Sequence, residues 1–332
     1  MRDNTVGLVV TLVLLLVWAP LTAYAQQPVK VPRIGFLRPN LVPPCRVDLF
    51  AQELRELGYV EGHNIVIEWR CGDGTPERQR EMAVELVQLP VDVFVAGAAD
   101  GPLAAMQVTH TIPIVFLNVA DPVAMGLVAS LARPGGNVTG VTTMVGLEFH
   151  AKRLQLLLEA VPGVTRVAAL QHGAFVRALP ARQRMQQAAA EAARSLGVHL
   201  QIVEVDAADE LEGAFTAMTR AGAEALLVFY SPFFYTHGRR IAELAVQHRL
   251  PGIYEWRSQV VAGGLMSYTA DQAALYRRAA SHVDRILKGT KPADLPVEQP
   301  TKFDLVINLK TAQALGITIP PSLLFQANEV IK

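Results

Sequence analysis

Polar and aromatic side chains collect where the apolar runs of this chain end, and that placement suits recognition of a small molecule. Arg38 follows the run 33–37, Asp100 follows 91–96, and Asn118 and Asp121 leave 114–117. Further on, His172 and Phe175 follow 166–170, Tyr230 and Ser231 close 225–230, and Tyr254, Glu255 and Trp256 close 252–254. Ser267, Tyr268 and Asp271 lie within and just after a stretch opened by Gly263 and Gly264. Donors and acceptors at strand ends, with rings beside them, can orient and cover a ligand. Arg38 is the natural holder of an anionic group, because a guanidinium grips a carboxylate through two N–H groups. Each candidate also has a plainer use. Asp121 can cap the turn at Pro122, Asp271 the helix that follows it, Tyr254 and Trp256 can fill a core, and Arg38 can be a solvated loop arginine.

Catalytic motifs are absent. The chain has no Gly-x-Ser-x-Gly, no Gly-x-x-x-x-Gly-Lys-Ser/Thr and no Gly-x-Gly-x-x-Gly. Its 8 histidines are scattered, with no pair at helical ligand spacing beside a glutamate. A hydrolase using Asp121 and Glu255 as paired carboxylates would lack supporting groups. We therefore expect no enzyme, no metal site and no cofactor. A formal net charge of +0 leaves no electrostatic footprint for nucleic acid.

The elements that must position these residues begin after a leader. Arg2 precedes an apolar core of about 13 residues, short of the roughly 20 a membrane-spanning helix needs. Ala23-Tyr24-Ala25 then gives a small-x-small cleavage site, so 1–25 reads as a signal peptide. Export bears on Cys45 and Cys71, which lie after the first and second expected strands; pairing and two free thiols both remain open. Expected strands at 33–37, 65–70, 91–96, 114–117 and 138–143 alternate with helices at 47–57, 76–89, 103–108 and 123–131. The pattern restarts with helices at 148–160, 182–196, 209–220 and 237–248, and strands at 166–170, 199–205, 225–230 and 252–254. A strand near 263–268, a helix at 271–288, a strand at 303–308 and a helix at 309–315 complete it. Strands alternating with helices give βαβ units and parallel sheets. The fold class is α/β, with two Rossmann-like lobes. We place lobe 1 at 26–143 plus about 266–297, and lobe 2 at 144–265 plus about 298–332.

Several stretches carry a family likeness: Leu57-Gly58-Tyr59-Val60-Glu61-Gly62, Asp121-Pro122-Val123 to Leu127-Val128, and Leu131 through Gly140 with its Arg133-Pro134-Gly135-Gly136-Asn137 turn. Gly263-Gly264-Leu265-Met266-Ser267-Tyr268 and Pro296 through Lys302 join them. Together they resemble the ABC transporter substrate-binding proteins that include bacterial tryptophan and tyrosine binders. The resemblance implies a hinged type I periplasmic-binding-protein architecture, with three crossings between lobes that close on a small molecule such as an amino acid or aromatic compound. It implies a periplasmic, monomeric protein whose partner is an ABC permease in the inner membrane. Four rim positions depart from the family pattern. Ala98, Ala99 and Asp100 stand where Gly-Thr-Pro is usual, Gln171-His172-Gly173 where Asn-Pro is usual, Tyr230-Ser231 for Ser-Asp, and Glu255 for proline. A carboxylate at Asp100 repels an anion, so the ligand class need not follow the family. A ligand-sensing ectodomain or partner of a membrane signalling kinase is the alternative reading.

Overall fold

The computed structural model describes residues 30–38, 47–72, 75–98, 100–143, 148–177, 179–180 and 182–332. The expected signal peptide 1–25, Cys45 and Ala99 lie outside the described residues.

Five parallel strands form the first sheet, in the order β2-β1-β3-β4-β5. They are β1 (Arg33–Arg38), β2 (Val66–Cys71), β3 (Val93–Gly97), β4 (Ile114–Val119) and β5 (Val138–Thr142). The side chains of β4 alternate between two cores, with Ile114, Phe116 and Val119 in one and Val115 and Leu117 in the other. A strand covered on both faces requires such an unbroken apolar run. Helix α1 (Asp48–Glu56) sends Phe50 and Leu54 into the second core. Helices α2 (Pro76–Val87) and α3 (Asp100–Val108) fill the first with Met82, Leu86 and Ala105. Thr75 starts α2 by accepting the Arg78 N–H at 3.4 Å. The helix expected at 123–131 does not form. Asp121 accepts the Ala124 N–H at 2.9 Å, and Gly126, at φ 71°, turns the chain out of the helical path. Cys71, the last residue of β2, is disulfide-bonded.

The second sheet has seven strands in the order β12-β11-β10-β9-β8-β6-β7. These are β6 (Arg166–His172), β7 (His199–Val205), β8 (Ala225–Val228), β9 (Gly252–Tyr254), β10 (Met266–Ala270), β11 (Phe303–Asn308) and β12 (Glu329–Ile331). Helices α4 (Glu148–Ala160), short α5 (Gly173–Arg177) and α6 (Arg182–Ser195) lie between β5 and β7 in the chain. Leu154 and Leu157 of α4 pack with Ala189 and Ala193 of α6. On the opposite face α7 (Glu210–Arg220) and α9 (Gly238–Gln247), separated by the short α8 (Pro232–Thr236), bury Phe215, Met218, Ile241 and Leu244. After α10 (Arg257–Val261), helix α11 (Gln272–Leu287) leaves this sheet and buries Leu275, Ala279 and Val283 in a first-sheet core. Helices α12 (Leu309–Ala314) and α13 (Pro321–Gln326) close the fold. Among the described residues, no helix is long and apolar enough to cross a membrane.

Two further expectations change. The strand 266–270, placed with the first lobe from the sequence, belongs to the second sheet, and the chain departs for the first sheet only at Asp271. Strand β11 runs antiparallel to β10, whereas parallel sheets were expected. The reason is where the chain returns: the Asp271 N–H bonds Lys302 O at 3.1 Å, so β11 starts at the end where β10 stops and must run back. The three crossings are tied side by side. Thr142 N–H donates to Glu298 O at 2.9 Å, Glu298 N–H to Gly140 O at 3.0 Å, and the Thr139 hydroxyl to Leu295 O at 2.7 Å.

Gly140 sits in this bundle at φ 155°, and a Cβ there would lie 2.3 Å from Phe116 O. Because the obstacle is backbone, Gly140→Ala should cost about 1–3 kcal/mol. Denaturant unfolding is expected to show a lower midpoint at unchanged slope; an unchanged midpoint would refute the close packing of β4 on β5.

Candidate ligand-binding site

A cleft of about 800 Å³ lies between the carboxyl ends of the two sheets. Arg38, Ala98 and Asn118, at the ends of β1, β3 and β4, line its first wall. Ala98 and Asn118 adopt φ of 59° and 58°. Asparagine tolerates this left-handed conformation, whereas alanine is held in it at roughly 1–2 kcal/mol. Such strain persists where surrounding packing fixes the backbone, characteristically at binding sites. The pairing of β4 with β5 shifts register between Leu117 and Val119, which frees Asn118 from the ladder. Its Oδ1 is buried and has no hydrogen-bond partner.

The opposite wall is aromatic. The Trp256 ring lies 5.1 Å from Tyr230 and 5.1 Å from Tyr235, at interplanar angles of 53° and 82°. Tyr276 of α11 closes the crossing side, next to Ser267, Thr269 and Asp271. Burial raises the pKa of both Tyr230 and Tyr276, and the nearby Arg38 charge pulls both down. The tyrosines therefore stay neutral and present hydroxyls rather than phenolates.

Behind this wall stands Arg153 of α4, 0% exposed. Its Nη2 donates to Val228 O at 2.8 Å and Ile253 O at 3.3 Å, and Nη1 lies 3.1 Å from Glu255 Oε2. One guanidinium thus ties β8 to β9, the strands that lead into Tyr230 and Trp256. Burial raises the pKa of Glu255 and lowers that of Arg153, and their pairing opposes both shifts. His150, one turn away on α4, is pushed down to about 3 by burial and then by the Arg153 charge, so its ring is neutral.

The structure divides the residues singled out from the sequence. Arg38, Asn118, Tyr230, Ser267 and Asp271 meet in the cleft, as does Trp256. Asn118, Asp121, Phe175, Tyr230 and Glu255 also line a small cavity of about 40 Å³ behind it. Asp121 caps its turn and reaches Arg184 of the other lobe at 3.7 Å, a half-exposed contact of small energy. Asp100, His172 and Phe175 line a separate groove of about 820 Å³. Three residues stand outside these spaces. Ser231 caps α8 by accepting the Phe233 N–H at 3.1 Å and lies 3.1 Å from His172 Nδ1. Tyr254 is fully buried in a core, and Tyr268 stacks on Phe303 at 5.3 Å. Tyr235, Tyr276 and Asp304 line the cleft without having been singled out. The Phe-Phe-Tyr run after Pro232 and the tyrosine one turn into the 271–288 helix were the available signals.

Comparison with known proteins agrees with this geometry. The family model described as ABC transporter substrate binding protein matches residues 46–331, and the chain belongs to that family. It is 24% identical over 270 residues to a tyrosine-binding protein of Clostridioides difficile, covering 81% of this chain and 75% of that protein. Among solved structures, an ABC domain from Streptococcus pneumonia in complex with L-Trp is 27% identical, with TM-score 0.81, covering 90% of this chain and 99% of that one. A conserved domain protein from Vibrio cholerae is 26% identical, with TM-score 0.82, covering 91% and 100%. The architecture is therefore that of the type I periplasmic-binding proteins.

Asp100 makes the stability of the fold sensitive to pH. Both its carboxylate oxygens are buried without a side-chain donor, and burial holds its pKa up at about 7 against an ordinary 3.8. Between those values the folded protein keeps a proton that the unfolded chain releases, so stability falls as pH rises, by up to about 1.4 kcal/mol per unit. Asp100→Asn should gain stability relative to the native chain across that window. A stability difference that does not change with pH would contradict the burial of Asp100.

Proposed function

We propose that this protein is an exported receptor that captures a small aromatic molecule between its lobes and delivers it to an ABC permease in the inner membrane. The observation that carries the reading is the cleft itself. Tyr230, Tyr235, Trp256 and Tyr276 offer ring surfaces, and buried polar atoms of Asn118 and Ser267 lack partners at its two walls. The tyrosine-binding relative and the L-Trp complex support an amino acid or aromatic compound. A ligand touching both walls favours the closed arrangement by its differential affinity, and the closed form is what a permease engages. No side chain in the cleft is asked to do chemistry, and the protein works as a monomer without a cofactor. Residues 1–25 act as a signal peptide and leave the mature receptor in the periplasm. Cys71 is disulfide-bonded and the chain holds one other cysteine, Cys45; a bridge between them fits that oxidising compartment.

A thermal-shift screen against amino acids, aromatic acids, aromatic amines and nucleosides tests the proposal. A ligand at about 100 times its dissociation constant should add about 2.7 kcal/mol of stability. Trp256→Ala is expected to weaken that ligand roughly tenfold or more. A screen without aromatic hits, or hits insensitive to Trp256→Ala, would overturn the reading.

A further inference from the structure

We propose that the crossing-side end of the cleft is a subsite for an organic cation, so that the ligand class is an aromatic amine whose ammonium seats against Asp304, Asp271 and Ser267. This rests on the receptor reading above and narrows it.

The pleat brings the groups together. Strands β10 and β11 pair antiparallel with Ser267 opposite Val306 and Thr269 opposite Asp304. All four line the cleft, so one face of this ribbon is turned to the ligand space. Ser267 is 0% exposed, and its Oγ has no hydrogen-bond partner. A buried hydroxyl without a partner costs free energy that a ligand donor would recover.

The charges around it are unbalanced. Asp48, Asp271, Asp304 and Glu329 line the cleft against two guanidiniums, Arg38 and Arg257. Arg257 is taken up by Glu329, through contacts of 2.5 and 2.7 Å. Arg38 rises from the end of β1 on the first-sheet wall, and its charge is felt at Tyr276 as well as at Tyr230. Asp271 gives one oxygen to the Ala274 N–H at 3.1 Å. The pKa of Asp304 is raised by burial and by the neighbouring charges of Asp271 and Glu329, as expected where like charges crowd. A cation entering here relieves that repulsion, and Tyr276 and Trp256 line the same cleft. The guest is organic: among the described residues, no three His, Cys, Asp or Glu side chains are placed to hold a metal ion.

Isothermal titration of the protein with four indole probes separates this proposal from the one beneath it. Tryptamine carries the cation alone, indole-3-propionate the carboxylate alone, tryptophan both, and indole neither. Tryptamine is expected to bind at least about tenfold more tightly than indole-3-propionate. Asp304→Asn should weaken tryptamine about tenfold while leaving indole unchanged. Equal or tighter binding of indole-3-propionate, or tryptamine binding unaffected by Asp304→Asn, would overturn the cation subsite and leave the receptor reading standing. Failure of all four probes to bind the native protein would overturn the cation subsite, and the receptor reading would then rest on the broader screen above. If Asp304→Asn shows no cooperative unfolding transition, Ser267→Ala takes its place, with severalfold weaker tryptamine binding expected and unchanged binding counting against the proposal.

Discussion

One buried guanidinium governs the geometry of the cleft. Arg153 reaches from α4 through the second-sheet core to carbonyls of β8 and β9 and to the carboxylate of Glu255. A charge so deep is tolerable only when it is paired, and removing one partner of such a pair is strongly destabilising. The consequence is positional. The chain that leaves β8 carries Tyr230 and the chain that leaves β9 carries Trp256, so the spacing of those two rings follows from how one side chain spans two strands.

The first-sheet wall works by a different constraint. In a parallel sheet covered on both faces, the strand ends are where backbone can depart from regular pairing. Ala98 and Asn118 both do so, at neighbouring strand ends and in the same left-handed conformation. The packing of β3 and β4 beneath them holds that strain. The two walls are therefore held for separate reasons, and the three crossings join them. There Thr139, Thr142, Glu298 and Asp271 are joined mainly through backbone hydrogen bonds, which can bend without repacking a core.

Much of this was legible in the residue pattern, because an unbroken run such as Ile114 to Leu117 has few structural uses. The alternation Met266-Ser267-Tyr268-Thr269 also announced a strand. Which face would meet the cleft depended on pairing with β11, and that antiparallel return was hidden behind a long excursion through α11. Hence Tyr268 was expected at the site and lies on the other face, while Asp304 went unnoticed opposite Thr269. Arg153 was invisible for a related reason: an arginine on an amphipathic helix reads as a solvated one until its depth is known. Ser231 and Asp121 show the converse, since polar residues at strand ends cap turns as readily as they face ligands.

The most direct test of the central idea, that a small aromatic ligand is held between the lobes against Trp256, uses the protein's own fluorophore. A chain lacking residues 1–25 and carrying Trp69→Phe retains Trp256 as its sole tryptophan. Titration with tyramine, followed by selective tryptophan emission, should give a saturable change with the same midpoint as calorimetric binding. Calorimetric binding without any change in Trp256 emission would place the ligand elsewhere and contradict the account.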